Sequence, residues 1–116
     1  MKKPFARILV LTLGAAALAF VVADASAAAL PNTAIHSGPT GTTTSRTASF
    51  HLLGTGGAVR IQCKLDRRAW YVCARTSSKS IVLRSLSRGS HTFLARAVNR
   101  AGKVDPTPAR RTWRIR

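Results

Sequence analysis

The segment Ala58-Val59-Arg60-Ile61-Gln62-Cys63-Lys64-Leu65-Asp66-Arg67-Arg68-Ala69-Trp70-Tyr71-Val72-Cys73 decides the architecture. Its first half alternates cleanly. Val59, Ile61, Cys63 and Leu65 fall on one side, and Arg60, Gln62 and Lys64 on the other. A period of two marks a strand with one buried face. Asp66-Arg67-Arg68 then reads as a turn, and Trp70 to Cys73 as the returning strand. In such a hairpin Cys63 and Cys73 lie roughly opposite each other, where β-carbons stand close enough for a disulfide. That bridge is local to one hairpin and does not join two sheets. Its short loop limits the expected stabilisation to about 2–3 kcal/mol. Nine residues separate the cysteines, so a CxxC metal or redox motif is absent.

Outward from this hairpin, short alternating runs recur. Arg46 to Leu53 places Ala48, Phe50 and Leu52 on one face, with Thr47, Ser49 and His51 on the other. Gly54-Thr55-Gly56-Gly57 is expected to end it. Thr33 to His36 reads as a first short strand. Ser37 to Ser45, with Gly38-Pro39, Gly41 and a threonine run, is turn-rich and too polar for a core strand. On the other side, Lys79 to Leu83 forms a strand. Arg88-Gly89-Ser90 then turns the chain into His91 to Asn99, with Phe93, Ala95 and Ala97 inward and Leu94 and Arg96 outward. Ala101-Gly102 turns again, Pro106 and Pro108 delay the last strand, and Arg111 to Arg116 closes with Trp113 and Ile115 inward. Seven strands at regular spacing, without helical periodicity or internal repeat, predict an all-β sandwich.

The N-terminus follows different rules. Lys2, Lys3 and Arg7 precede an apolar run from Ile8 to Val22, and Ala25-Ser26-Ala27 follows. This pattern predicts a secretory signal peptide over residues 1–27, cut after Ala27, with one domain over residues 28–116. An uncleaved anchor is the alternative. The run is shorter than the ~20 apolar residues of a spanning helix, so no transmembrane segment is expected after cleavage. No cysteine follows it, which argues against a lipoprotein. The expected location is extracytoplasmic, secreted or held at the cell surface, where two cysteines pair.

Charge is the most unusual feature. Lysine and arginine number 19 against 3 acidic residues in 116, a formal net charge of +16. Three basic residues and Asp24 leave with the leader, so sixteen basic against two acidic residues give the exported form +14. Such a field attracts polyanions: nucleic acid, anionic lipid or acidic envelope polymers. An arginine-decorated surface without a ligand is the alternative reading.

Catalytic chemistry finds little support. Only Asp66 and Asp105 survive export, so a pair of facing carboxylates is not expected. His36, His51 and His91 show no metal-ligand spacing. Ser90-His91 lacks an evident base-orienting acid. No glycine-rich phosphate loop precedes a helix. The expectation is a non-enzyme without catalytic residues, metal or cofactor.

Several segments resemble a known family. They are Pro31-Asn32-Thr33-Ala34-Ile35, Ser37-Gly38-Pro39-Thr40-Gly41-Thr42-Thr43, and Gln62-Cys63-Lys64-Leu65-Asp66 with Cys73. Gly89-Ser90-His91-Thr92-Phe93, Arg96-Ala97-Val98, Ala101 to Ala109 and Thr112-Trp113 follow in order. From Pro31 to Ile115 the chain resembles the bacterial immunoglobulin-like repeats of large secreted and surface proteins. The resemblance implies a single seven-stranded immunoglobulin-like sandwich, a paired Cys63–Cys73, and a spacer, stalk or adhesion module with no reaction of its own. Two departures stand out. The family's Leu-Asp-Gly-Gly turn reads Leu65-Asp66-Arg67-Arg68 here, which strains the hairpin unless the turn changes type. The family's Asp-x-Ala-Gly-Asn corner reads Asn99-Arg100-Ala101-Gly102-Lys103, and the added cations argue against calcium.

In an immunoglobulin-like sandwich the third, sixth and seventh strands share one sheet. Their outward positions are Arg60, Gln62 and Lys64; Thr92, Leu94 and Arg96; Thr112, Arg114 and Arg116. With strands about 4.8 Å apart these side chains form one basic face, with Arg67 and Arg68 at its hairpin end. The candidate anion-binding residues are therefore Arg60, Lys64, Arg67, Arg68, Arg96, Arg114 and Arg116. Arginine forks suit phosphate. A plain solvated sheet face is the alternative. The expected role is a secreted interaction module for anionic cell-envelope polymers. A structural or adhesive unit that meets another surface protein is the second possibility. A cationic antimicrobial or nucleic-acid-binding protein is the third. Secretion and the scarcity of aromatics near the face, Tyr71 and Trp70 at most, argue against nucleic acid. The lack of an amphipathic helix argues against an antimicrobial peptide.

Overall fold

The computed structural model describes residues 30–116, and the signal peptide expected over residues 1–27 lies outside the described residues. Eight strands follow in order: β1 (Asn32–Ser37), β2 (Gly41–Thr43), β3 (Ala48–Thr55), β4 (Ala58–Leu65), β5 (Tyr71–Ala74), β6 (Ser78–Leu83), β7 (Gly89–Asn99) and β8 (Ala109–Ile115). They form a three-stranded sheet, β1-β3-β6, and a five-stranded sheet, β2-β8-β7-β4-β5.

The strand count corrects the expected seven. The additional element, Gly41–Thr43, runs parallel to β8, with Thr42 opposite Arg114 and Thr43 opposite Ile115. It lies on a sheet edge and buries no apolar side chain, so alternation could not reveal it. Gly54 does not break β3 either. Its N–H donates to the Ser77 carbonyl at 2.6 Å. A β-carbon there would lie 2.7 Å from that of Ala58, so the glycine serves close packing. The turn itself falls on Gly56 and Gly57, at φ 68° and 80°.

The inward faces meet as alternation predicts. Ala48, Phe50 and Leu52 of β3 face Ile61, Cys63 and Leu65 of β4, Phe93 and Ala95 of β7, and Trp113 and Ile115 of β8. Phe50 stacks on Phe93 with centroids 4.1 Å apart, and meets Trp113 edge-on at 5.5 Å. Each such aromatic contributes about 1.5–3 kcal/mol by leaving water. Val98 is buried although it shares a row with Arg60, because the bridge to Val104 brings the β7–β8 loop across it.

The disulfide joins Cys63 to Cys73, with α-carbons 5.6 Å apart. The pairing is less direct than expected. Tyr71 stands opposite Cys63, and Cys73 occupies a bulge between the pairs Gln62–Val72 and Ile61–Ala74. The extra residue turns Cys73 toward the core side, where it meets Cys63 diagonally.

Asp105 ties the two sheets together. Its carboxylate accepts the Thr33 hydroxyl at 2.6 Å and the Thr107 N–H at 2.8 Å. Thr33 Oγ1 in turn accepts the N–H of Ala97 at 2.7 Å, which locks β1 to β7.

Candidate anion-binding face

Strands β4, β7 and β8 are neighbours, so their outward residues form rows across the sheet. Lys64, Leu94 and Arg110 make one row; Gln62 and Arg96 make the next. Thr92 faces Thr112, and Ser90 faces Arg114, whose Nη1 donates to Ser90 Oγ at 3.3 Å. Arg60 lies toward one end of the face, opposite Val98. Arg116 lies at the other, its N–H bonded to the Thr43 carbonyl at 2.9 Å.

Lys64, Arg67, Arg68 and Arg110 come together around a concavity of about 750 Å³, with Asp66, Ser90, Thr92 and Leu94 completing its lining. Arg110 is the residue that sequence reading missed. The prolines were expected to delay the last strand to Arg111, but β8 begins at Ala109 and brings Arg110 into the row. Alternation carried one step back from Thr112 and Arg114 was the available signal.

Trp70 supplies an aromatic under these cations. The Arg96 guanidinium lies 3.9 Å from its ring centroid and Lys64 Nζ lies 5.9 Å away. Arg96 Nε also donates to Gln62 Oε1 at 2.8 Å, which holds the stack in place.

Two other arginines are structural. Arg111 sits one residue out of phase with the face and donates to the carbonyls of Gly38 and Ile35, at 3.0 and 3.3 Å. Arg46 Nε donates to the Leu86 carbonyl at 2.6 Å.

The hairpin turn closes without the glycines. Arg68 N–H bonds the Leu65 carbonyl at 3.0 Å, and Asp66 takes φ 53°. Aspartate tolerates that region better than most residues. Its side chain reinforces the turn. Oδ1 accepts the N–H of Thr92 at 2.8 Å, and Oδ2 accepts Nδ1–H of His91 at 2.9 Å. His91 therefore does have an orienting carboxylate, contrary to the sequence expectation. It makes no catalytic dyad with Ser90, because Nε2 donates to the Ser87 carbonyl at 2.7 Å. Burial disfavours the charged ring, but the bonds to Ser87 and Asp66 outweigh it and raise the His91 pKa, against a small opposing push from Arg68.

The outer face of the three-stranded sheet is different. Ala34, His36, Ser49, His51, Leu53, Ser78, Ser80 and Val82 occupy it, with no lysine or arginine. His36 falls at a bulge in β1, and its ring lies 5.9 Å from that of His51, a proximity that spacing in sequence concealed. Among the described residues no three His, Cys, Asp or Glu side chains converge. No helix among them is long and apolar enough to cross a membrane.

No family profile and no curated protein matches this chain. Solved structures do. Fibronectin(III)-like modules of Clostridium thermocellum CbhA align with TM-score 0.54 and 10% identity over 73% of this chain and 96% of theirs. The PKD domain of an M14-like peptidase from a Thermoplasmatales archaeon aligns with TM-score 0.51 and 13% identity over 74% and 92%. The extracellular domain assigned to a one-component system of B. thetaiotaomicron aligns with TM-score 0.50 and 17% identity over 66% of this chain. This chain spans only 12% of that extracellular domain's chain. The fold is thus the immunoglobulin-like sandwich of bacterial and archaeal modules.

Proposed function

We propose that this domain is a secreted, non-catalytic interaction module that holds anionic cell-envelope polymers on the outer face of its five-stranded sheet. One observation carries the reading. Eight cations crowd that face and its hairpin end (Arg60, Lys64, Arg67, Arg68, Arg96, Arg110, Arg114 and Arg116), while the opposite sheet face carries none. Among the described residues the two carboxylates are engaged internally, by His91 and Thr92 and by Thr33 and Thr107. The field of the face is left without local compensation. The disulfide supports an extracytoplasmic setting. The extracellular module among the structural neighbours supports it too.

Binding of the purified domain to anionic envelope polymer, measured against salt, tests the proposal. Affinity that falls steeply as salt rises is expected. Salt-independent or absent binding defeats it.

The uncharged three-stranded face favours a second reading, an adhesive unit for another surface protein. On that face half-buried Leu53 pairs with exposed Ala34, and Val82, 45% exposed, lies farther along it opposite Ser49. Under that reading, reversing the charge of three arginines on the five-stranded face leaves partner binding intact.

A further inference from the structure

We infer that the concavity at the β4–β5 hairpin end of the basic face is a discrete receptor for the phosphate group of a phosphate-bearing polymer. This rests on the polyanion reading and narrows it to one chemistry and one place.

Four cations reach the concavity from three parts of the fold: Lys64 from β4, Arg67 and Arg68 from the turn, and Arg110 from β8. None is paired with a carboxylate, since His91–Asp66 is the sole ion pair among the described residues. Asp66 lines the same wall but directs both carboxylate oxygens to His91 and the Thr92 amide. The acid that would repel an anion instead fixes the turn bearing two of the arginines. Asp66 N–H adds a third tie, to the Thr92 carbonyl at 2.8 Å. The backbone that bears two of the donors is therefore fixed before binding, which lowers the ordering cost.

The donor set distinguishes phosphate from carboxylate. A planar carboxylate is satisfied by one guanidinium fork. A tetrahedral phosphate offers acceptor oxygens in several directions and suits donors that converge from different sides. Here the lining guanidinium groups come from the turn and from β8, and the Lys64 ammonium comes from β4. Ser90 Oγ accepts from Arg114, so its own proton is available to a ligand, and the Thr92 hydroxyl lies alongside. Leu94 gives the floor one apolar patch. At about 750 Å³ the hollow falls in the range of organic ligand sites, roughly 300–1,000 Å³. It has room for a phosphate together with the polyol or sugar that bears it.

The test compares a poly(glycerol phosphate) oligomer, polygalacturonate of matched charge and inorganic phosphate, titrated into the disulfide-bonded domain by calorimetry and amide NMR. The phosphate polymer is expected to bind about tenfold more tightly than the carboxylate polymer, given the multidirectional donors. Its shifts should centre on Asp66 to Arg68, Ser90 and Thr92, and inorganic phosphate should compete at those positions. The variant Arg67→Lys/Arg68→Lys/Arg110→Lys keeps the charge and is expected to lose the preference while retaining salt-dependent binding. The variant Arg60→Gln/Arg114→Gln/Arg116→Gln is expected to weaken both polymers alike. Equal affinities, with shifts spread over the whole sheet, overturn the receptor and leave the polyanion face standing. If neither polymer binds, both proposals fall.

Discussion

The buried ring of His91 and the half-buried carboxylate of Asp66 form a strap across the base of the hairpin, 2.9 Å from Nδ1 to Oδ2. The other ring nitrogen meets a carbonyl at 2.7 Å. Both partners can only accept, so both nitrogens must donate, which only the imidazolium does. The strap joins β7 to the turn that carries Arg67 and Arg68.

A pH dependence follows from that strap. The folded pKa of His91 lies above its ordinary 6.5. The stabilisation is therefore complete below pH 6.5 and is lost as pH rises through the folded pKa. Urea denaturation across the neutral range should show the midpoint falling with rising pH, and His91→Gln should flatten that part of the curve. Deprotonation also leaves Asp66 uncompensated beside the concavity, so anion affinity should fall in the same direction.

Reduction of Cys63–Cys73 should cost about 2–3 kcal/mol, because the bridge closes only a short loop in the unfolded chain. Denaturant curves with and without reductant measure it. Cys63 is fully buried, so Cys63→Ser should cost more than Cys63→Ala, having to bury a hydroxyl in place of sulfur.

Phe50 lies at the centre of the aromatic cluster. Phe50→Ala should cost about 3–5 kcal/mol, a large share of what a small domain has. Gly38 packs against the same ring, and a β-carbon there would lie 2.6 Å from Phe50 Cδ1. Gly38→Ala should therefore lower the thermal midpoint although the residue lies in a polar loop.

Adjacent arginines on β8 should behave oppositely. Arg111→Ala removes two bonds to main-chain carbonyls, and a loss of about 1–3 kcal/mol is expected with little change in polyanion affinity. Arg114→Ala should leave stability within about 0.5 kcal/mol, as for most exposed positions, and weaken polyanion binding. Equal effects on both readouts for the two variants would contradict the division of roles.

Trp70 offers a direct reporter. Of the two tryptophans, Trp113 is 4% exposed in the core and Trp70 lies under Arg96. Polyanion titration should change the emission of Trp70, and Trp70→Phe should remove the signal.

Alternation made the layers legible in the sequence. Ala48, Phe50 and Leu52 announce one inner face and Ile61, Cys63 and Leu65 the other, because each strand buries one side only. The cysteines announced their bridge, and the surplus of arginine its field. Side chains that act across strands were not legible. The bulge at Cys73, the edge strand Gly41–Thr43, the approach of His36 to His51 and the meeting of His91 with Asp66 depend on register and sheet order. These are set by contacts between residues far apart in the chain, to which a local period of two is blind. The sequence by itself determined which residues face inward and how much charge faces out. Only the tertiary structure decided what those side chains meet: Arg111 braces the carbonyls of Gly38 and Ile35, and Arg110 shares a concavity with Lys64, because these partners lie far apart in the chain.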